Sequence, residues 1–373
     1  MSALEKLRAV APVMIEDLAE LVGTESPSAD VDAIARCADV VAELGRRYTG
    51  AAPERIVVAD RPHLRWRFGS APPRVVLIGH FDTVWPLGTL KRWPFAVDGI
   101  RATGPGVVDM KAGLVMLFHA LAQLGDLDGV AVVVNSDEEI GSPTSTKLIE
   151  DTARGAAGAL VLEGSAEGRL KVARKGIAHY SVRVVGRAAH AGIAPHLGIN
   201  AGVELAHQLL RIAELGDPER TTTVTPTDAV VGTTSNTVPA EARVSIDARS
   251  FDPAELARVD AALRDLRPVL PGAQVRVEPG PSRPAMPETA ATELFALAQR
   301  LGAELGLPPF TAEAVGGGSD GNFTAGIGVR TLDGLGAVGG KAHAEGEWID
   351  LTSLPDRAAL VCALAGAIGQ DAR

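Results

Sequence analysis

Histidine and carboxylate side chains follow the ends of several apolar runs in this sequence. His80 and Asp82 come after VVLI, Asp137–Glu139 after AVVVNS and Glu163 after ALVL, while Asp109 precedes a predicted helix. Carboxylates that lie close together resist joint ionisation unless a cation neutralises them. A mixture of His with Asp and Glu suits zinc, cobalt or manganese better than calcium or magnesium. The pattern therefore predicts a site for divalent metal ions.

The apolar runs are typical of buried strands, with predicted helices between them. Strands and helices alternate from Arg74 to Gly164, which indicates right-handed crossovers in a mostly parallel sheet. One helix is predicted over Lys111–Gly125, and another from an N-cap at Ser142, with Pro143 at its first position, to about Arg154. Ligands of such sheets bind outside the carboxyl ends of the strands, which is where the His and acidic residues fall.

A second pattern begins near Lys171, where HYSVRVVG alternates as a half-exposed strand does. The predicted order β-α-β-β-α-β describes a ferredoxin-like unit, and PGPSRPAMP indicates the linker that leaves it. We therefore predict an α/β fold with two domains. A discontinuous catalytic domain spans 1–174 and 287–373, and an inserted α+β domain spans 175–286.

The composition of the 373-residue chain fits a packed protein of about two domains, with 46% hydrophobic and 22% charged residues. Its 36 basic and 46 acidic residues give a net charge of −10, which argues against nucleic-acid and membrane partners. The N-terminal stretch is amphipathic and no apolar run is long enough to span a bilayer, so a soluble, cytoplasmic protein is expected. Cys37 and Cys362 are expected to be buried free thiols.

Several motifs resemble the co-catalytic dizinc metallopeptidase family that includes glutamate carboxypeptidase, acetylornithine deacetylase, succinyl-diaminopimelate desuccinylase and aminoacylase. The motifs are HFDTV (80–84), GPGVVDMKAG (104–113), SDEEIGS (136–142), VLEG (161–164), GRAAHAG (186–192), SNTVP (235–239), SRPAM (282–286), GGGSDG (316–321) and the late His343. The stretch VWPLGTLKRWPF (84–95) is most similar to the glutamate carboxypeptidase branch.

The resemblance implies two divalent metal ions, zinc by preference, with cobalt or manganese as alternatives. Asp109 would bridge the ions, and the remaining ligands would be His80 and Glu163 for one ion and Glu139 and His343 for the other. The other implied roles belong to Glu138, the general acid/base, and to Asp82, which would orient the His80 imidazole.

Residues of the inserted domain are implied to take part as well. His190 would reach the active site of a partner protomer and stabilise the oxyanion, although its sequence context alone favours a surface loop histidine. Arg249 would bind the terminal carboxylate of the substrate, and a solvated Arg at a strand end is an equal alternative without the family. The further substrate-binding candidates are Asn236, Gly317, Gly318 and Arg283.

The predicted reaction is cleavage of an amide bond to release a C-terminal amino acid, glutamate, from a small peptide or N-acyl amino acid. The alternatives are an N-acyl-amino-acid deacylase or a dipeptidase on the same scaffold, and a catalytically silent binding homologue. A nucleotide-binding protein is disfavoured because neither G-x-G-x-x-G after a strand nor a Walker-type loop occurs. The inserted ferredoxin-like domain is implied to serve as a lid and as the dimerisation domain, so a homodimer is predicted.

Overall fold

The computed structural model describes residues 1–69 and 72–370. The helices are α1 (Ala3–Ala9), α2 (Ala11–Val22), α3 (Val31–Thr49), α4 (Ala112–Leu121), α5 (Thr146–Ala153), α6 (Ala201–Ala213), α7 (Pro253–Arg264), α8 (Glu288–Glu304), α9 (Gly321–Gly326) and α10 (Ser353–Gln370). The strands are β1 (Glu54–Val58), β2 (Arg61–Arg67), β3 (Val75–His80), β4 (Ala96–Asp98), β5 (Arg101–Thr103), β6 (Val130–Asn135), β7 (Gly158–Val161), β8 (Ser165–Ala166), β9 (Leu170–Arg174), β10 (Gly176–Val185), β11 (Thr223–Val231), β12 (Glu241–Ser250), β13 (Gln274–Arg283), β14 (Ala312–Val315), β15 (Thr331–Leu332), β16 (Val338–Gly340) and β17 (Trp348–Asp350).

The chain divides into two compact units. The first consists of Met1–Ala173, Met286–Val315 and Ser319–Arg373, and the second of Arg174–Ala285 with Gly316–Gly318. The first unit is therefore discontinuous in sequence, because the chain leaves it after Ala173 and returns at Met286.

The main sheet of the first unit has the strand order β1-β2-β6-β3-β7-β15. The central pairings β6–β3, β3–β7 and β7–β15 are parallel, whereas β1–β2 and β2–β6 are antiparallel. The fold is thus α/β, but the sheet is mixed, and the prediction of a mostly parallel sheet holds only for β6, β3, β7 and β15, which run parallel to one another. The reason is that β1 and β2, which were not recognised as strands in the sequence, extend one edge as a hairpin.

Burial explains why the central strands form as they do. All residues of β3 and β6 are buried, and so are all residues of α4, which packs in the main core with α10. Such runs are apolar on every side because the sheet is covered on both faces. Both cysteines are free and buried, as expected. None of the helices in the described ranges is both long and apolar enough to cross a membrane.

The helix that was predicted to begin at Ser142 begins at Thr146 instead. Ser142 has a left-handed backbone, with φ 56°, which is incompatible with a helix N-cap. The side chain of Asp137 accepts hydrogen bonds from Thr144 N and Oγ1 and from Ser145 Oγ, so this short segment forms a separate turn. The prediction was wrong because a tertiary hydrogen-bond network, absent from the local pattern, decides where the helix begins.

The second unit contains one four-stranded antiparallel sheet with the order β11-β12-β10-β13. Its elements follow one another as β10, α6, β11, β12, α7 and β13. Alternate residues of β10 and β12 are buried under the two helices, and they form a core of this unit's own. β13 extends to Arg283, so it includes residues that the sequence assigned to a linker.

Candidate metal centre

The carboxyl ends of the parallel strands of the first unit carry the polar side chains that the sequence singled out. His80 is the last residue of β3, and Glu163 lies two residues beyond the end of β7. Glu138 and Glu139 form a single helical turn after β6, which Gly141 ends with φ 93°. Asp109 lies in the turn before α4, and His343 lies between β16 and β17 with a left-handed backbone, φ 62°.

These side chains meet in one cluster. Asp109 lies between two imidazoles: its Oδ1 is 3.2 Å from His80 Nε2, and its Oδ2 is 3.2 Å from His343 Nε2. The Oε1 of Glu163 is 3.6 Å from His80 Nε2, and the Oε2 of Glu139 is 3.0 Å from His343 Nε2. The residues thus group as two sets that share Asp109, which is the grouping the resemblance implies. Their roles as ligands stay a prediction.

Glu138 lies beside the His80 side of the cluster. Ligand-type atoms of His80, Glu138 and Glu163 all lie within 4.8 Å of one another. Glu138 is 9% exposed, so it lies at the edge of the buried region. A carboxylate in this position is close enough to the cluster to exchange protons with a reacting molecule there.

Asp82 is fully buried and accepts hydrogen bonds from more groups than the sequence predicted. Its Oδ1 is 3.4 Å from His80 Nδ1 and accepts a hydrogen bond from Glu138 N. Its Oδ2 accepts from Glu139 N and from Ser28 Oγ. Asp82 therefore fixes the backbone of the Glu138–Glu139 turn as well as contacting the His80 ring. Ser28 was missed in the sequence because only the fold brings it to Asp82.

The electrostatics of the cluster reveal an excess of negative charge. Burial alone lowers the pKa of His80, but the carboxylates of Asp109, Asp82 and Glu163 raise that pKa well above its ordinary value. Hydrogen bonds to Asp109 and Glu139 raise the pKa of His343 to about 11. Burial raises the pKa of Asp109, yet the two histidines outweigh it and hold that pKa below the ordinary range. The cluster thus attracts positive charge.

The donor set fits divalent cations. Imidazole nitrogens and carboxylate oxygens are ligands for zinc, cobalt and manganese. The Oε1 atom of Glu139 is buried and has no hydrogen-bond partner, which leaves an acceptor available in the cluster. A buried acceptor without a partner costs free energy, which a bound cation would remove.

A further buried carboxylate, Glu347, contacts this centre from outside and was not recognised in the sequence. It accepts hydrogen bonds from the backbone N–H groups of Gly106, Val108 and Asp109. Its position four residues after His343 is the only sequence signal, and spacing alone does not indicate a contact with the Asp109 turn.

In the second unit, Arg249 lies near the end of β12 and is already paired. Its Nε and Nη2 donate to the two carboxylate oxygens of Asp247, at 2.8 and 2.9 Å, and its Nη1 donates to Gly316 O. The hydrogen bond to Asp247 is the main cause that raises the pKa of the Arg249 guanidinium. Arg249 is partly exposed, with 34% of its side chain accessible. Any anion that binds Arg249 therefore competes with Asp247.

Arg283 and the glycine-rich segment lie close to Arg249 within the same unit. Arg249 and Arg283 both pair with Ile177 of β10, from opposite sides, so the two arginines share one face of the sheet. The carbonyl groups of Gly317 and Gly318 accept hydrogen bonds from Arg174. The N–H of the next residue, Ser319, is bound by Asn322 Oδ1 and is not available for a substrate.

His190 is exposed on a loop of the second unit. Its Nδ1 accepts hydrogen bonds from Gly192 N and Ile193 N, so the neutral ring carries its proton on Nε2. The loop is held by a bridge between His190 and Thr237, and the carbonyl of Asn236 accepts from Ala191 N.

A mixed α/β fold that gathers two imidazoles and several carboxylates at strand ends is typical of hydrolases that use divalent metal ions. Residues 76–367 match Peptidase family M20/M25/M40, and the chain belongs to this family. It is accordingly an enzyme, a hydrolase of the metallopeptidase type.

Individual relatives agree with this assignment. The chain is 32% identical to carboxypeptidase G2 of Pseudomonas sp. (strain RS-16) over 368 residues, which cover 93% of this chain and 87% of that protein. It is 30% identical to a succinyl-diaminopimelate desuccinylase of Methylobacterium radiotolerans over 321 residues, 76% of this chain and 80% of that protein. The fold is similar to that of an M20 family metallo-carboxypeptidase from Sulfolobus solfataricus, with a TM-score of 0.71 and 18% identity over 95% of this chain and 99% of that one.

Proposed function

We propose that this enzyme cleaves an amide bond and releases a C-terminal glutamate from a peptide or N-acyl amino acid. The observation that carries the proposal is the cluster in which Asp109 contacts both His80 and His343, with Glu138 beside it. Two divalent ions, zinc by preference, would be held by His80, Glu163 and Asp109 on one side and by Asp109, Glu139 and His343 on the other. Such ions act as Lewis acids and make water acidic enough to serve as a nucleophile at neutral pH.

The chain's own residues would handle the proton. Glu138 takes a proton from the attacking water and passes it to the departing amine, so that one carboxylate acts as base and then as acid. Its backbone N–H is held by Asp82 Oδ1 at 3.1 Å, which limits how far the Glu138 turn can shift. His190 donates from Nε2 to the developing oxyanion, and its tautomer, set by Gly192 N and Ile193 N, suits that role.

The preference for an acidic product rests on two observations. The first is the resemblance of the stretch VWPLGTLKRWPF (84–95) to the glutamate carboxypeptidase branch, together with the similarity of most of the chain to a carboxypeptidase. The second is the pair of arginines, Arg249 and Arg283, on one face of the sheet of the second unit, since Arg binds carboxylates through two parallel hydrogen bonds. We propose that Arg249 binds the terminal carboxylate. Arg283, Asn236 and the backbone of Gly317 and Gly318 support the substrate around it.

Replacing Arg249 tests this assignment. Arg249→Met removes a charged hydrogen-bonding group worth about 1.5–3 kcal/mol, so kcat/KM should fall by about 10- to 150-fold. The loss should appear mainly in KM, measured by initial rates. Asp247→Asn is the matched variant, because it releases the guanidinium from its present partner and should lower KM for the same substrate. An unchanged KM in Arg249→Met would exclude this residue from carboxylate binding.

A deacylase is the second candidate function. The similarity to a succinyl-diaminopimelate desuccinylase at 30% identity favours it, and the same cluster would serve the reaction. The two candidates differ in the acyl group and in the amino acid released, and both require the same proton transfer by Glu138.

A hydrolysis panel distinguishes these candidates. Purified enzyme loaded with zinc, cobalt or manganese is assayed on N-acyl-glutamates, including pteroyl-glutamate, on acetylornithine, on succinyl-diaminopimelate and on simple dipeptides. The proposal expects the highest kcat/KM with a glutamate-releasing substrate. Preference for a substrate that releases a neutral or basic amino acid would overturn the glutamate assignment. No hydrolysis of any substrate in the metal-loaded protein would favour a silent homologue.

We further propose that the second unit serves as a lid and as the interface of a homodimer. β11 is an edge strand, and its exposed residues include Val230 and Val231. The helix α6, which packs against β11, exposes Val203 and Leu210, seven residues apart on one helix face. An apolar edge of this kind is satisfied by a second copy that pairs with it about a two-fold axis.

If His190 acts on the site of the partner protomer, two inactive variants should complement each other. His190→Ala and Glu138→Gln are each expected to be nearly inactive, and a mixture of the two should regain up to about a quarter of the wild-type activity, because random exchange makes half of the dimers mixed and each mixed dimer has one intact site. The measurement is the rate of substrate hydrolysis after subunit exchange, which a tagged subunit verifies by co-purification. Verified exchange without any regained activity would contradict action in trans.

A further inference from the structure

The side chain of Glu347 is fully buried behind the metal centre and accepts four hydrogen bonds. Its Oε1 accepts from Val108 N at 2.8 Å and Asp109 N at 3.1 Å, and its Oε2 accepts from Gly106 N and Trp85 Nε1, both at 3.0 Å. Trp85 lies five residues after the predicted ligand His80, and the three backbone donors lie in the turn that carries the predicted ligand Asp109. Burying a carboxylate costs free energy unless hydrogen bonds compensate for the loss of water, and these four donors supply that compensation.

The contacts fix the turn that carries Asp109. The backbone of Asp109 is not helical, with φ −121° and ψ 90°, although the residue lies just before α4. Helical hydrogen bonding does not hold such a residue, so its N–H needs another acceptor. Glu347 supplies that acceptor and thereby sets the direction in which the Asp109 side chain leaves the turn. In that direction its two oxygens contact His80 and His343 at the same time.

Glu347 also connects the segments that carry the two histidines. It follows His343 by four residues in the loop before β17, and its partner Trp85 follows His80 by five residues. Gly106, whose N–H donates to Glu347, lies in a tightly packed turn. Its φ is 73°, and a Cβ atom at this position would lie 2.6 Å from Thr83 Cγ2. One carboxylate thus holds together three segments that are remote in sequence.

We propose that Glu347 is a positioning residue of the metal centre, which orients Asp109 between the two histidines through the backbone of the Gly106–Asp109 turn. This inference rests on the proposed function, since it takes Asp109 to be the shared ligand. Glu347 itself contacts no reacting group. Its effect is on how tightly and in what arrangement the cations are held.

Both oxygens of Glu347 act as acceptors, so a glutamine cannot replace it. In Glu347→Gln the amide NH₂ faces either the Val108 and Asp109 N–H groups or the donors from Gly106 and Trp85. Two N–H donors then face the amide NH₂ group, which can only donate as well, so the turn must move. Loss of an outer partner of a ligand typically weakens metal binding 10- to 100-fold, and we expect a change of that size.

The test compares Glu347→Gln with Glu345→Gln, an exposed glutamate in the same loop. Each full-length protein is stripped of metal and titrated with zinc against a chromogenic chelator. Zinc affinity should fall 10- to 100-fold in Glu347→Gln and should be unchanged in Glu345→Gln. The visible spectrum of each protein saturated with cobalt(II) gives a second readout. A variant that is only less stable shows the wild-type spectrum at saturation, whereas a moved ligand changes its bands.

Zinc affinity and a cobalt spectrum equal to those of the wild type in Glu347→Gln would overturn the inference. If that variant does not fold, Trp85→Phe replaces it, because it removes one donor and leaves the three backbone donors in place. A loss of about 2- to 10-fold in zinc affinity is then expected, and unchanged affinity would overturn the inference. Failure of the wild-type protein to bind zinc would instead contradict the proposed function, so the two failures are distinguishable.

Discussion

Glu138→Gln is expected to lower kcat by about 10²- to 10⁴-fold while the protein keeps its metal ions. The amide retains the shape of the carboxylate but cannot accept a proton from water or pass one to the departing amine. The Glu138 N–H that Asp82 holds is part of the backbone, so the substitution leaves that contact in place. Steady-state kinetics and elemental analysis of the same preparation measure both quantities.

Glu139→Gln is the matched comparison for this variant. It replaces the neighbouring carboxylate, whose Oε2 contacts His343 and whose Oε1 has no partner. We expect this variant to lose metal as well as activity, in contrast to Glu138→Gln. Full turnover in Glu138→Gln at full metal content would remove Glu138 from the mechanism, whatever the result for Glu139.

Asp109→Asn is expected to cause the largest loss of metal. Asp109 uses one oxygen towards His80 and the other towards His343, and an amide has only one oxygen. Its NH₂ group would face one side of the cluster and could not bind a cation there. The zinc content should fall from about two towards one or fewer per chain. Turnover should fall by at least about 10²-fold, which is the loss expected when the general acid/base is removed.

The control is Asp60→Asn, which makes the same chemical change at an exposed turn residue with φ 63° that Asn tolerates well. Metal content by elemental analysis and thermal unfolding of the metal-free proteins are measured together. Two zinc ions per chain in Asp109→Asn would contradict a shared ligand at this position. The metal-free variant should also be less stable, because His80 and His343 hold the pKa of Asp109 below its ordinary range and the ionised carboxylate therefore stabilises the folded protein.

The sequence predicted the central strands because burial on both faces makes them continuously apolar. β3, β6 and β7 were recognised in this way, and with them the positions of His80 and Glu163 at the strand ends. The edge strand β1 was not, because most of its residues are exposed and their order carries no period. The start of α5 was wrong for a related reason, since Asp137 decides it through side-chain hydrogen bonds.

The site shows the same division between local and tertiary signals. His343 has no strand-end context, and only the resemblance to a family connected it with Asp109. Glu347 and Ser28 had no such connection, because their partners are backbone N–H groups or a carboxylate that the fold brings to them. Residues that orient a site through the main chain leave no pattern of their own in a sequence.

The discontinuity of the first unit has a consequence for biosynthesis. Five of the six clustered side chains, from His80 to Glu163, precede the second unit in the chain, and His343 follows it. During translation His80 and the clustered carboxylates are therefore synthesised long before the last imidazole. If these residues are the ligands, as we propose, the complete set exists only after the C-terminal segment, with β15 and α10, has joined the early half, and cation uptake by the full set is a late event of maturation.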